Sequence, residues 1–167
     1  MIVVSDTSPI ANLIVVGHLD LLFHLFETVV IPGVVYQELL ANGKNHRVTQ
    51  AIERIDWLDV RSVMDGEKAR MLEYERKLDS GEAHAIALAL ELNATQLLID
   101  ERLGRVEAKR QGLKITGLLG VLLAAKKKSL IPCIHPILDD LISKANFRIS
   151  RQLYDEVLML ANEILAD

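Results

Sequence analysis

Four carboxylates in this chain stand where an acidic site could be assembled. Asp6 closes the apolar run IVVS and Asp100 closes TQLLI, so each is delivered by the end of a strand-like segment. Glu38 lies in VVYQELL, one or two turns into a helix-like stretch, and Glu82 sits at the start of the Ala-rich segment DSGEAHAIALALELN. Brought together without a counter-charge, such groups repel. A like-charged pair about 4 Å apart costs roughly 1 kcal/mol in water and about 4 kcal/mol at an effective dielectric of 20. A divalent cation reverses that sign, and an all-oxygen donor set selects a hard ion, Mg2+ or Mn2+. A centre of this kind acidifies a bound water and stabilises the charge that grows on a phosphate under attack.

Three of the four acids also have an ordinary structural reading, while Asp100 ends a buried strand and is harder to dismiss. Asp6 could cap the helix that follows it. Asp79-Ser80-Gly81-Glu82 has the form of a capping box with Asp79 at the N-cap and Glu82 at the third helical position. That role can coexist with ligand binding, because a carboxylate at a helix N-terminus complements the dipole. Glu38 taken alone could be one more exposed helix acid. The ordered set, rather than any member, points to a site. Glu91, Glu107 and Asp139-Asp140 lie in helical stretches and read as solvated faces. The five histidines show no ligand spacing, Cys133 has no partner motif, and GLLGVLL lacks the lysine of a phosphate loop.

Elements that could position these acids follow from the hydropathy pattern. Residues 2–5, 28–32, 57–63, 95–100 and 113–116 read as strands, most of them continuous apolar runs bounded by turn residues. Helical periodicity fills the intervals at 8–26 (broken near Gly17), 33–42, 46–55, 66–77, 79–93, 102–112 and 117–128, and two further helices follow. Asn42-Gly43 and Gly112 are the expected stops, and Ser150 the expected N-cap of the last helix. Strands alternating with helices predict an α/β fold with a mainly parallel sheet flanked by helices. In such a sheet, ligands bind beyond the carboxyl ends of the strands, where Asp6 and Asp100 fall.

Composition agrees with one domain over residues 1–167. Half the residues are apolar and a quarter charged, which is globular usage. A single cysteine gives no disulfide framework and points to a reducing cytoplasm. The N-terminus lacks the basic region and cleavage site of a secretory signal, and no apolar run approaches the roughly 20 residues that span a bilayer. The net charge of −4 is not that of a generic nucleic-acid binder. From Glu101 to Lys128, however, eight basic residues face two acidic ones. Arg102 and Arg105, just after Asp100, are the candidates for phosphate contacts. Lys126-Lys127-Lys128 reads more simply as a solvated helix C-terminus favoured by the dipole.

The ordered motifs DTSP, IPGVVYQEL, LDSGEAHAIALALE, LLIDERLGR and GLKITGLLGVLL resemble those of the PIN-domain nucleases, and more closely the toxin-like subgroup related to VapC ribonucleases. The resemblance covers residues 1–131 and leaves 132–167 as an unassigned helical extension. It implies a three-layer α/β/α fold and a Mg2+- or Mn2+-dependent endoribonuclease whose acids are Asp6, Glu38, Glu82 and Asp100. It places Thr7 and Ser8 beside the first acid as hydrogen-bonding hydroxyls. Relatives of the toxin type carry Thr-x-Asp at the fourth strand. Here the run is Ile99-Asp100-Glu101, so Glu101 is the candidate to share that role. The resemblance further implies an RNA substrate, a small antitoxin protein as partner, and a homodimer. The rival readings are a catalytically inactive module of the same fold that binds RNA or protein, and a small-molecule phosphohydrolase.

Overall fold

The computed structural model describes residues 1–41 and 46–164. Five strands form one all-parallel sheet in the order β3-β2-β1-β4-β5. They are β1 (Val3–Ser5), β2 (Val29–Pro32), β3 (Leu58–Arg61), β4 (Gln96–Leu98) and β5 (Ile115–Thr116). β1 is central and wholly buried, which is why its residues are apolar on both faces. Its neighbour on one side is β2, with Val4 opposite Val30, and on the other β4, with Val4 opposite Leu97 and Ser5 opposite Leu98. The Asp6 N–H extends the second ladder by one bond, donating to the Leu98 carbonyl at 3.0 Å.

Successive strand residues point to opposite faces, and each face has its own core. On one side Val3, Ile31 and Leu98 meet α1 (Thr7–Val15), α2 (Asp20–Phe26), α3 (Gly33–Leu40), α4 (His46–Arg54) and α8 (Leu118–Lys127). On the other, Val4, Val30 and Leu97 meet α5 (Gly66–Arg76), α6 (Ser80–Glu91) and α7 (Arg102–Arg110). The result is the expected three-layer α/β/α arrangement. α6 is rich in alanine because it lies flat on the sheet: Ala83, Ala85, Ile86 and Ala89 are all fully buried.

The last two helices, α9 (His135–Lys144) and α10 (Arg151–Leu160), are built into the first core through Leu138, Leu141, Val157 and Leu158. Glu163 fastens them: its carboxylate accepts from the amides of Ile134 and His135 and pairs with Lys126 Nζ at 3.0 Å. Lys126 is thereby engaged within the fold.

Several local expectations hold. Ser150 Oγ accepts from the Leu153 amide and caps α10, and Gly112 ends α7 with φ +82°. The expected stop at Asn42-Gly43 lies outside the described residues. One expectation fails: Glu107 is 4% exposed, not solvated. Arg110 and Gln111 on its own helix hydrogen-bond its carboxylate, and Arg76 from α5 lies 3.6 Å away. The Arg110 hydrogen bonds hold its carboxyl below the usual range against its burial.

Candidate active site

β1 and β4 end side by side at the carboxyl edge of the sheet, and each continues into an acid. Asp6 occupies the N-cap position of α1, with the extended backbone of a cap (φ −76°, ψ 174°), yet its side chain makes no capping hydrogen bond. The carboxylate is 3% exposed, and Oδ1 is buried with no partner. Asp100 is the counterpart two residues beyond β4. Its Oδ1 accepts from the Leu118 amide at the start of α8, while Oδ2 is buried without a partner. Buried polar atoms in native folds are nearly always hydrogen-bonded, so two orphaned carboxylate oxygens just beyond adjacent strands are open to a further partner.

Glu38, half-buried on α3, joins Asp6. A β-carbon on Gly81 would stand 2.5 Å from Glu38 Oε2 and 3.1 Å from Asp6 Oδ1, so both carboxylates converge over that glycine. The Thr7 hydroxyl donates to Glu38 Oε2 and fixes the two acids relative to α1. Gly117 plays a similar part for Asp100: a β-carbon there would come within 2.7 Å of both Asp100 Oδ1 and Arg105 Nη1.

Glu82 has the capping role that its sequence context suggests. Its Oε2 accepts from the Asp79 amide at 3.0 Å while Asp79 Oδ1 accepts from the Glu82 amide at 2.8 Å, a complete capping box. It remains 5% exposed and electrostatically coupled to Asp6. Asp79, which the sequence suggests only as a cap, is the strongest of the like-charged neighbours acting on Asp6.

These surroundings raise the pKa values of Asp6, Glu82 and Asp100. Burial pushes Asp6 up to about 8; the Thr7 amide opposes this, and Asp79, Glu82 and Glu38 add to it. Burial raises Glu82 as well, against the Asp79 amide. Asp100 is raised by burial against the Leu118 amide and the Arg105 guanidinium. Among the described residues no three His, Cys, Asp or Glu side chains already stand close enough to one point to hold an ion. The donor chemistry still fits a hard divalent cation. It is all oxygen, it carries two unpartnered buried atoms, and Asp6 and Asp100 resist ionising without added positive charge.

The remaining sequence candidates divide. Ser8 and Glu101 line a cleft of about 480 Å³ together with Asp100. Arg105 is partly committed, with Nη1 donating to the Ile99 carbonyl at 3.0 Å. Arg102 is exposed and lines neither this cleft nor a second one, of about 560 Å³, that Asp100 and Arg105 share. Both clefts are bounded by Phe147 and Arg148, from the segment between α9 and α10. The motifs gave no signal for these two, because nothing local in the sequence places the extension beside Asp100.

A family model described as a PIN domain matches residues 2–163. The match runs through α9 and α10, past the end of the motif resemblance. No curated protein matches the chain. Among the described residues, no helix is long and apolar enough to cross a membrane.

Proposed function

The chain belongs to the PIN-domain family, whose members are generally nucleases, and on that premise we propose that it is a divalent-metal-dependent endoribonuclease. The observation that carries the reading is the pair of buried, unpartnered oxygens on Asp6 and Asp100, at the ends of adjacent central strands. Asp6 holds an N-cap position without capping, so its buried Oδ1 is open to another partner.

In this reading Asp6 and Asp100 hold Mg2+ or Mn2+, with Glu38 beside Asp6 and Glu82 contributing charge from the first turn of α6. When bound, the ion supplies an acidified water and neutralises charge developing on the scissile phosphate. The protein's own part is positional. Thr7 orients the Glu38 carboxylate, the Leu118 amide orients Asp100, and the capping box fixes Glu82. Ser8 and Glu101 flank Asp100 in the cleft where substrate would lie. The proposal extends to the toxin-like subgroup, with a small antitoxin as partner and a homodimer as the working form. The exposed Leu103 and Val106 on α7 offer apolar surface for either contact.

The test is cleavage of single-stranded and structured RNA by the purified chain with Mg2+ or Mn2+, beside p-nitrophenyl phosphate as a small ester. Cleavage of RNA alone, abolished by chelator and by Asp6→Asn, is the expected result. RNA bound but uncut at every metal concentration would indicate an inactive binding module instead. Turnover of the small ester alone would indicate a phosphohydrolase.

A further inference from the structure

We infer that Arg148, from the C-terminal extension, contacts the RNA backbone phosphate next to the cleavage position; the inference rests on the nuclease reading above and adds a substrate-binding residue to it. A polyanion must approach a site ringed by acids, so cationic groups are needed close to Asp100. Of the two arginines that follow Asp100 in sequence, Arg105 is drawn inward to the Ile99 carbonyl and the Asp100 carboxylate. Arg102 lines neither cleft that opens on Asp100. Arg148 lines both, and it is exposed, with no ion pair or hydrogen bond among the described residues.

Its backbone is well held even though its side chain is free. Asn146 adopts a left-handed conformation (φ +54°) that turns the chain after α9. The Phe147 amide donates to the Leu141 carbonyl at 3.0 Å, and the Phe147 ring packs on the core. Arg148 therefore leaves a fixed anchor with its guanidinium uncommitted, the condition in which a planar fork of donors recognises phosphate. Phe147 borders the same two clefts, so an aromatic edge adjoins the cation, a combination suited to single-stranded nucleic acid.

The experiment compares wild type, Arg148→Ala, Arg148→Lys and Arg102→Ala on a fluorogenic single-stranded RNA of randomised sequence. Both kcat and KM are measured between about 50 and 200 mM salt. For Arg148→Ala the expected result is a roughly tenfold higher KM with kcat within about twofold of wild type. The slope of log(kcat/KM) against log[salt] should also become shallower by about 0.7, the share of one phosphate contact on a single strand. Arg148→Lys should restore the slope and part of the KM. A merely structural role would lower thermal stability and leave the slope alone. If Arg148→Ala matches wild type in KM and slope while wild type cuts the RNA, the inference is wrong and the nuclease reading stands. If wild type cuts no RNA under any metal condition, the nuclease reading falls and takes this inference with it.

Discussion

The Thr7 hydroxyl donates to the Glu38 carboxylate, joining the first turn of α1 to α3 across the carboxyl edge of the sheet. Thr7 follows Asp6 directly, so this bond places the second acid relative to the first. Thr7→Val keeps the shape and removes the donor. Loss of such a supporting bond typically costs about 10- to 100-fold in metal affinity or activity. Stability should change by no more than about 1 kcal/mol. Isothermal titration with Mn2+ beside a denaturant melt separates the two quantities. An unchanged metal affinity would mean that Glu38 does not take part.

Asp6→Asn should abolish cleavage and yet stabilise the metal-free protein. The substitution removes a buried charge that burial and three acidic neighbours disfavour, and it retains the shape. The gain should grow as the pH rises toward 8, to on the order of a few kcal/mol, read as a higher urea midpoint with an unchanged slope.

The sign of the pH dependence follows from the same carboxyl group. With a folded-state pKa of about 8 and an ordinary unfolded value of 3.8, the unfolded chain loses its proton first. Its contribution to stability is complete below pH 4 and falls away as the pH rises toward 8. Urea melts of the metal-free protein across that window should show the decline, and Asp6→Asn should make it shallower, leaving the part due to Glu82 and Asp100.

Divalent metal should reverse this trend. Mn2+ or Mg2+ binding should release protons below pH 8 and tighten as the pH rises, because the acids must ionise to ligate. At a free concentration about 100 times Kd, the metal should add about 2.7 kcal/mol of stability, removable by chelator. A Tm insensitive to either ion would count against Asp6 and Asp100 as ligands.

Gly81→Ala tests the convergence above α6. The new methyl would occupy the space where the Glu38 and Asp6 carboxylates meet. Alanine is the better helix former by up to about 1 kcal/mol, and the Glu38 carboxylate can swing aside, so the fold should remain within about 1 kcal/mol of wild type. Activity should nevertheless drop by at least about tenfold, because the displaced acid belongs to the proposed site.

Local rules made much of this architecture readable. The capping box at Asp79 and Glu82, the cap at Ser150 and the stop at Gly112 each depend on a few adjacent residues. The buried strands showed in unbroken apolar runs such as IVVS and TQLLI. Asp6 was different: cap and ligand share one backbone conformation, and only the missing side-chain bond separates them. Glu107 looked like a solvated helix acid because its burial depends on Arg76 arriving from another helix. Arg148 was invisible for a similar reason, since its place beside Asp100 is set by the packing of α9 and α10.

The pairing of β1 with β4, Val4 opposite Leu97, has a consequence for biosynthesis. The first strand leaves the ribosome before its neighbour on that side, which follows more than ninety residues later. Until then Asp6 has no Leu98 carbonyl to accept its amide proton. Gly117 and the segment carrying Arg148 emerge later still. A nascent chain thus lacks part of the proposed site until the segment through Asp100 has emerged, and whatever chemistry the site performs begins only after that.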